Sequence, residues 1–307
     1  MSRKLSEPVF AGLPLVDLLP PFTAYLQTAR RSPATIAQYT WAVHSLDHFL
    51  ATSDMPRDIA RVTSDNISAF QRHLLDTRAA ATAQAAARSL RAFYTWAMAE
   101  GEAQTNPMER VPKPSAPVVP VEIIPPDWAR RLFASAAGNE YDDLRDLAIL
   151  RLLWDSGGRR AEIGSLRVED LHWEANVAAV KGKGDKTRTI PFTGHSARAL
   201  RRYLTQARPR HPDRGLPALW LGANGPMTPD GIRYVLDKRT KLAGLPHLHP
   251  HQFRHTMAHR FLAAGGNQNS LMLLMGWNTP QMVARYVAST ATELAHSEYQ
   301  RLGLDDV

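Results

Sequence analysis

The sequence of 307 residues contains no cysteine. A chain without thiols has no disulfide framework, no thiolate zinc finger, no iron-sulfur cluster and no cysteine nucleophile. The cytoplasm is the natural compartment for such a protein, and we expect it there. Long apolar runs are missing too: a run of about 18 apolar residues occurs nowhere, and the N-terminus holds no stretch suited to a signal peptide. We therefore expect a protein that neither enters nor spans a membrane.

Nucleotide-binding motifs are also missing. The segment GKGDKT at residues 182–187 lacks the first glycine of a P-loop, and no Gly-x-Gly-x-x-Gly pattern opens a helix after a strand. The sequence thus argues against chemistry driven by a nucleoside triphosphate. It contains no convincing carboxylate cluster either. We predict that the protein uses no cofactor.

Histidine is the residue type that raises the question of a metal. His251, His255 and His259 share one stripe of a predicted helix, which is a spacing that metal ligands use. However, no glutamate stands beside them as a base, and Arg254 places a fixed positive charge among them. We favour structural roles for these histidines and predict no metal site.

The length and composition indicate a globular protein of two domains. Hydrophobic residues make up 44% of the chain and charged residues 21%, and 307 residues exceed what a single core usually organises. Seven of the twenty residues from Pro107 to Pro126 are proline, which suits an extended tether and cannot continue a helix. We predict an N-terminal domain over residues 1–106, a proline-rich linker over 107–126 and a second domain over 127–307.

Every periodic segment before the linker is typical of a helix. Apolar residues recur every three or four positions in SPATIAQYTWAVHSLDHFLAT, where Ser32 and Pro33 form an N-cap and first turn. A further helix is expected behind Ser64 or Asp65, and an alanine-rich one ends at Gly101. With a shorter helix near residues 21–30, these segments predict a four-helix domain.

The segment after the linker has mixed periodicity. YDDLRDLAILRLLWDS is apolar enough to be a central buried helix. VAAVK and TRTIP read as strands around a turn at residues 182–185, which predicts a small antiparallel sheet with a basic hairpin. Further helices are expected at about 127–137, 195–207, 229–242, 250–264, 268–275 and 280–287. The predicted fold class is mainly α, with a helical N-terminal domain and an α+β second domain.

The charge of the chain suggests a polyanionic partner. Its formal net charge is +8, and residues 181–214 hold ten lysines or arginines against two aspartates. A solvated basic face explains most runs of this kind, and a nucleic-acid surface is only slightly favoured here. Within this stretch we predict DNA contacts from Lys181, Lys186 and Arg188.

Short motifs stand in order along the second domain. Arg159 follows a Gly-Gly break, with Glu162 three positions later, and Lys183 lies in the hairpin turn. His251 and Arg254 share one helix face and offer a donor and a bidentate guanidinium to a phosphate. The last two motifs are LMGWNT, which contains Trp277, and RYVAS, which contains Tyr286. Taken singly, each has an ordinary explanation as a core aromatic, a surface lysine or a helix-end ion pair.

Taken together, these motifs resemble the tyrosine recombinase (phage integrase) family, and they favour a simple Xer-like or plasmid and transposon resolvase-like enzyme. The resemblance covers nearly the whole chain, including the helical N-terminal domain, which is similar to the family's core-binding domain. Two positions depart from the pattern, since Trp277 replaces a histidine and Gly158 a usually apolar residue. The matching residues are Arg159, Lys183, His251, Arg254, His255, Gly276 and Tyr286.

The resemblance implies site-specific recombination of double-stranded DNA through a covalent 3′-phosphotyrosyl intermediate, in a bacterial or mobile-element host. It assigns Tyr286 as the nucleophile, and Arg159 and Arg254 as the phosphate clamp. His251 is a general base or orienting group, Lys183 protonates the 5′ oxygen and Trp277 donates its N–H. A type IB topoisomerase and a catalytically idle DNA-binding regulator remain alternatives.

The resemblance also implies a homo-oligomer, with a dimer on each site and a tetramer in synapsis. The C-terminal segment is similar to the family helix that docks on a neighbouring protomer, although a cap on its own domain is the alternative. Only about twenty residues precede the first predicted helix. We therefore expect no arm-binding domain of the kind that larger phage integrases carry.

Overall fold

The computed structural model describes residues 12–114, 122–182, 187–284, 286–287, 295 and 299–300. The chain forms two compact units that divide at residue 118, inside the predicted linker 107–126. Residues at both ends of that segment are buried in a hydrophobic core. Met108 and Val111 are buried in the N-terminal unit, and Ile124 is buried in the C-terminal one. The proline-rich composition therefore extends into both units.

The N-terminal unit contains the four predicted helices, which are α1 (Leu19–Thr28), α2 (Pro33–Thr52), α3 (Ser64–Thr77) and α4 (Ala80–Ala99). Ser32 caps α2, accepting the backbone N–H of Thr35 at 3.2 Å. The expected cap of α3 was wrong. Thr63, rather than Ser64 or Asp65, precedes the helix, because its side chain and that of Asn66 accept each other's backbone N–H groups.

Aromatic rings and alanines fill the core of this unit. Phe22 of α1 meets Phe93 of α4 edge to face, with ring centroids 5.2 Å apart. The predicted alanine-rich helix is confirmed as α4, and its Ala83 and Ala86 are buried. Small side chains allow close packing of neighbouring helices against this face.

The C-terminal unit is α+β, as predicted. Its helices are α5 (Pro126–Ala134), α6 (Tyr141–Ser156), α7 (Arg160–Gly164), α8 (Gly194–Arg202), α9 (Pro229–Leu242), α10 (Pro250–Ala263) and α11 (Gln268–Met275). The strands β1 (Leu171–His172), β2 (Val177–Lys181) and β3 (Thr187–Pro191) form an antiparallel sheet in that order, with Ala179 opposite Thr189. The sequence missed α7 and the short strand pair β4 (Leu221–Gly222) and β5 (Gly225–Pro226).

Helix α6 runs through the core of the C-terminal unit, as its apolar composition predicted. Its Ala148, Ile149 and Leu152 are fully buried. The expected helix over 195–207 has two parts, because α8 ends at Arg202 and the chain continues as a π-helix over Tyr203–Ala207. Among the described residues, no helix has both the length and the apolar character that crossing a membrane requires.

A buried ion cluster joins α6 to α9. Asp146 is fully buried and accepts the side chain of Arg145 at 2.7 Å and that of Arg239 at 2.8 Å. Both arginines are also almost inaccessible, so the three groups satisfy one another away from water. Removing the carboxylate would leave two buried guanidinium groups without this partner.

We expect Asp146→Ala to lower the free energy of unfolding by about 3–5 kcal/mol, since it breaks a buried ion cluster from one side. Asp142→Ala is the matched control. Asp142 contacts Arg145 and Lys238, but its side chain is 47% exposed, and exposed pairs contribute about 1 kcal/mol or less. Urea unfolding of both variants measures the difference, and equal losses would contradict the importance of burial.

Candidate active site

The turn that follows α6 positions Arg159. Helix α6 ends at Gly157, which adopts the left-handed conformation with φ of 56°. A Cβ there would lie 3.3 Å from the Cα of Arg254, so glycine permits the close approach of α10. A Cβ at Gly158 would lie 2.8 Å from Cδ1 of Ile163, so a larger residue there would require the Ile163 side chain to shift. Arg159 then occupies the N-cap position of α7.

Glu162 lies between two arginines. Its carboxylate accepts the backbone N–H and the guanidinium of Arg159 at 2.7 and 2.8 Å, and Nη2 of Arg188 at 2.7 Å. Burial raises the pKa of Glu162, but the Arg159 N–H and the two guanidinium groups outweigh it, so the pKa lies below that of an ordinary glutamate. The carboxylate is therefore charged at neutral pH and fixes both arginines.

Arg254 is the most deeply buried cation of the site. It is 2% exposed, and its Nη1 donates to the carbonyl oxygen of Gly157 at 3.0 Å. Burial, together with the positive charges of Arg159 and Arg188, lowers the pKa of Arg254 to about 10. The group remains charged at neutral pH, in surroundings that hold more positive than negative charge.

All three arginines donate hydrogen bonds to the C-terminal end of α11. The last carbonyls of a helix have no partner within it and carry partial negative charge. Here three successive carbonyl oxygens each accept one guanidinium: Leu274 from Arg188, Met275 from Arg254 at 2.5 Å, and Gly276 from Arg159 at 3.3 Å. A Cβ at Gly276, whose φ is 58°, would lie 3.0 Å from Cδ of Arg188. Glycine at 276 therefore lets the helix end approach the arginines.

Trp277 and Tyr286 continue from this helix end. Their rings are stacked, with centroids 5.2 Å apart and planes at 16°. The guanidinium of Arg254 lies 5.3 Å from the centre of the Trp277 ring. Tyr286 is only 4% exposed, and its hydroxyl makes a hydrogen bond with Nδ1 of His255. The structure thus brings Trp277, Tyr286 and Arg254 together, as the motifs suggested.

An open depression of about 500 Å³ borders the arginines. His251 is exposed in the first turn of α10 and lines this depression beside Arg159 and Arg254. The same depression is lined by Arg160 and Arg233, so basic side chains dominate its wall. This surface is suited to an anion with several oxygen atoms.

The residues that were predicted to contact DNA differ in their surroundings. Lys183 and Lys186 lie outside the described residues, and Lys181 is exposed at the end of β2. Arg188 differs from an exposed phosphate contact: its side chain is 13% exposed and is engaged by Glu162 and the end of α11. The reason is that β3 passes beside α11, which turns this side chain inward.

Part of the basic stretch 181–214 also stabilises the fold. Arg208 donates to the carbonyl oxygens of Arg214, Leu216 and Ala218. Arg201 packs over the ring of Trp173, 4.4 Å from its centre. These arginines are therefore engaged within the unit, which weakens the inference from local charge alone.

Sequence reasoning matched His255 to the family pattern but assigned it no role, and it did not foresee that Glu162 joins two arginines. His255 follows directly after Arg254 in the histidine box, which was the available signal. Glu162 stood at the spacing of a helix-end ion pair with Arg159, but its contact with Arg188 spans 26 positions. Within the described part of the chain, no group of three or more histidine, aspartate or glutamate side chains is arranged to hold a metal ion.

Stability should depend on the Glu162 carboxylate in a pH-dependent way. The pKa of this group is lower in the folded than in the unfolded state, so its contribution is present above the ordinary glutamate pKa and is lost as the pH falls through the folded value. We expect Glu162→Gln to cost about 2 kcal/mol at neutral pH and less at a pH below about 4, where the unfolded chain begins to bind the proton. Urea unfolding at both pH values measures the change.

Glu169→Gln, at an exposed pair with Arg167, should show no such trend, and a constant cost for Glu162→Gln would contradict the assignment.

Two family models match this chain. Residues 123–293 match the model of the phage integrase family, and residues 19–101 match that of the phage integrase N-terminal SAM-like domain. The chain therefore belongs to the phage integrase family of tyrosine recombinases, enzymes that cleave and rejoin DNA.

Relatives named tyrosine recombinase XerC resemble the chain over most of its length. The protein from Mycobacterium sp. (strain JLS) is 31% identical over 291 residues, which cover 91% of this chain and 96% of the relative. The protein from Corynebacterium glutamicum is 29% identical over 259 residues, covering 83% of this chain and 82% of the relative. The first alignment covers nearly the full length of both proteins.

Solved structures show the same fold at low identity. The XerH site-specific recombinase bound to its palindromic difH substrate, in a post-cleavage complex, has a TM-score of 0.73 at 14% identity, covering 92% of this chain and 84% of that one. A lambda integrase dimer bound to a COC′ core site has a TM-score of 0.70 at 16% identity, covering 92% and 81%. The predicted fold class and family are confirmed.

Proposed function

We propose that the depression beside α10 binds the scissile phosphate of a DNA duplex and that Tyr286 attacks its phosphorus. Arg159 and Arg254 hold the non-bridging oxygens, on which negative charge builds in the transition state. The charge balance of the site carries this assignment. Among the described residues, Arg159 and Arg188 both contact the carboxylate of Glu162, and Arg254 adds a third positive charge close to them. A bound phosphate supplies the missing negative charge.

His251 and Trp277 complete the phosphate site in this proposal. His251 lines the depression from the first turn of α10, where its imidazole acts as a donor or orienting group for a phosphate oxygen. Trp277 donates its indole N–H from below Arg254. The Trp277 ring has no acid or base function, so it contributes a hydrogen bond and packing alone.

Lys183 is proposed as the general acid. An alkoxide is a poor leaving group, and the departing 5′ oxygen needs a proton as its bond to phosphorus breaks. The hairpin between β2 and β3 is basic in sequence, and β3 contributes Arg188 to the same cluster. Lys181 and Lys186 are proposed as contacts to neighbouring DNA phosphates, and Arg188 as a positioning residue for Glu162.

Double-stranded DNA is the proposed substrate, and a homo-oligomer the proposed active form. A dimer on each site and a tetramer in synapsis fit the lambda integrase neighbour, which is a dimer on its core site. We place the protein in the bacterial cytoplasm, in keeping with its bacterial relatives. The C-terminal segment proposed to dock on a neighbouring protomer lies largely outside the described residues.

Recombination between two duplexes tests this function. A target site is first selected from duplexes of random sequence by binding to the Tyr286→Phe variant. We expect the unmodified protein to exchange strands between two duplexes that carry the site, without nucleotide and in the presence of EDTA, because the phosphotyrosyl bond conserves the energy of the broken ester.

The other outcomes separate the alternatives. Relaxation of supercoiled DNA without exchange between duplexes would favour a topoisomerase, and binding without cleavage would favour an idle regulator. Activity that EDTA abolishes and zinc or magnesium restores would contradict the metal-free chemistry.

A further inference from the structure

We propose that His255 is the base that takes the proton from Tyr286 during cleavage, and that His251 serves the phosphate instead. The inference deepens the proposed function and rests on it. It names a catalytic residue that touches the attacking oxygen, and it separates the roles of two histidines on one helix.

The contact between His255 and Tyr286 is the starting observation. Nδ1 of His255 and the hydroxyl of Tyr286 form a hydrogen bond, and the two ring centroids lie 5.4 Å apart. The Tyr286 ring also stacks on Trp277. The phenol thus contacts an indole through its ring and an imidazole through its oxygen. A general base must lie within hydrogen-bonding reach of the proton it removes, and His255 does.

The position of His251 points to a different task. His251 and His255 lie one turn apart on α10, with ring centroids 4.6 Å apart and planes nearly perpendicular. His251 is exposed and lines the depression with Arg159 and Arg254, whereas His255 is half-buried and faces the nucleophile. Consecutive turns of one helix therefore serve the two reactants, the phosphate and the phenol.

The apolar surroundings of Tyr286 make a nearby base necessary. Tyr286 belongs to a small buried apolar cluster with Met257, Leu271 and Met275. A phenol near pKa 10 is protonated at neutral pH, so its attack on phosphorus requires that the proton leave. The Nδ1 atom of His255 can take this proton, since it already forms a hydrogen bond with the Tyr286 hydroxyl.

Tyr286, His255 and Lys183 together account for every proton that moves in the reaction. In cleavage the Tyr286 oxygen bonds to phosphorus as the bond from phosphorus to the 5′ oxygen breaks. The phenolic proton passes to Nδ1 of His255, which accepts it in the tautomer with hydrogen on Nε2. The 5′ oxygen leaves with a proton from the proposed acid Lys183. In rejoining, the 5′-hydroxyl attacks phosphorus and returns its proton to Lys183. The bond from phosphorus to the Tyr286 oxygen breaks, and the phenolate recovers its proton from His255.

The test measures cleavage of the selected duplex, nicked so that the adduct accumulates, by full-length variants. We expect His255→Ala to slow adduct formation by about 100-fold or more with unchanged DNA binding. His255→Gln, which keeps a polar side chain of similar length but takes no proton, should be equally slow. The matched control is His259→Ala, one turn further along α10, which should cleave like the unmodified protein.

A more acidic nucleophile distinguishes a base from a packing residue. A ring-fluorinated tyrosine in place of Tyr286 loses its proton more readily and needs less help. We expect it to recover about 10-fold of the His255→Ala loss, and to change the His259→Ala rate no more than that of the unmodified protein. A residue that only positions the ring would show no such selective recovery.

Three results would overturn the inference. The first is faster cleavage by His255→Ala, which would show that the contact restrains Tyr286. The others are normal cleavage by His255→Gln and no selective recovery with the fluorinated phenol. Failure of the proposed function gives a different result. In that case the unmodified protein would form no adduct, or Tyr286→Phe would still form one, whatever the His255 variants do.

Discussion

Tyr286→Phe is expected to abolish covalent attachment to DNA while leaving DNA affinity nearly unchanged. The substitution removes only the attacking oxygen, and the phenyl ring can keep its stacking on Trp277. Affinity comes mainly from lysine and arginine contacts to many phosphates, which the variant retains. A loss of adduct of at least about 10⁴-fold is expected, since loss of a nucleophile removes the whole covalent pathway. A denaturing gel of a nicked, end-labelled duplex measures the adduct, and a binding titration measures affinity.

Two other tyrosines provide matched controls. Tyr234 and Tyr299 are 67% and 59% exposed, so either could reach a bound duplex. Tyr234→Phe and Tyr299→Phe should form adduct at the normal rate. An adduct that persists in Tyr286→Phe and disappears in one of these variants would show that the nucleophile was misassigned.

Lys183→Ala should nearly abolish cleavage of normal DNA, and a sulfur substitution in the DNA should restore it. If the ammonium protonates the 5′ oxygen, its loss leaves an alkoxide to depart, and general acids of this kind contribute about 10²–10⁴-fold. A substrate with sulfur at the bridging 5′ position expels a thiolate, which forms near pKa 8.5 and needs no proton. We therefore expect the variant to cleave the sulfur substrate about as fast as the unmodified protein does.

Arg159→Ala is the control for this rescue. Arg159 donates to Glu162 and to the end of α11 and lines the depression, so its proposed charge acts on non-bridging oxygens. The sulfur substrate leaves those oxygens unchanged, and the variant should stay slow on both substrates. Equal rescue of both variants, or of neither, would mean that Lys183 only positions DNA. The acid would then have to be sought at Lys181, Lys186 or His251.

Local signals in the sequence predicted the secondary structure well. Ser32 with Pro33 starts α2 as expected, because a cap depends on residues within one turn. The start of α3 was displaced by one position, since Thr63 stands in a run of three residues that all make good caps. The alternation in VAAVK and TRTIP gave the hairpin strands for the same local reason.

The order of the motifs predicted which residues meet, although not how they are held. Arg159, Arg254, Trp277 and Tyr286 are brought together by the fold, as the family resemblance implied. Their main supports are backbone carbonyl oxygens at the end of α11, and every residue type carries such an oxygen. A sequence pattern holds no signal for contacts of this kind, which join positions that lie far apart in the chain.

Arg188 and the histidines show the same limit. Local charge suggested that Arg188 contacts DNA, but β3 carries it to Glu162 and Leu274, which are 26 and 86 positions away in the chain. His251 was favoured over His255 because the family pattern pairs it with Arg254. The contact between His255 and Tyr286 spans 31 positions and depends on where the segment after α11 packs. Only tertiary structure shows such contacts.

The most direct test of the account is to identify the amino acid that carries the DNA. The adduct formed on a nicked target duplex is digested with nuclease and protease, and mass spectrometry locates the residual nucleotide. We predict a nucleotide joined through its 3′ phosphate to the tyrosine in the peptide that contains Tyr286. A nucleotide on Tyr234, on Tyr299 or on a residue other than tyrosine would contradict the central claim, as would an adduct through the 5′ phosphate.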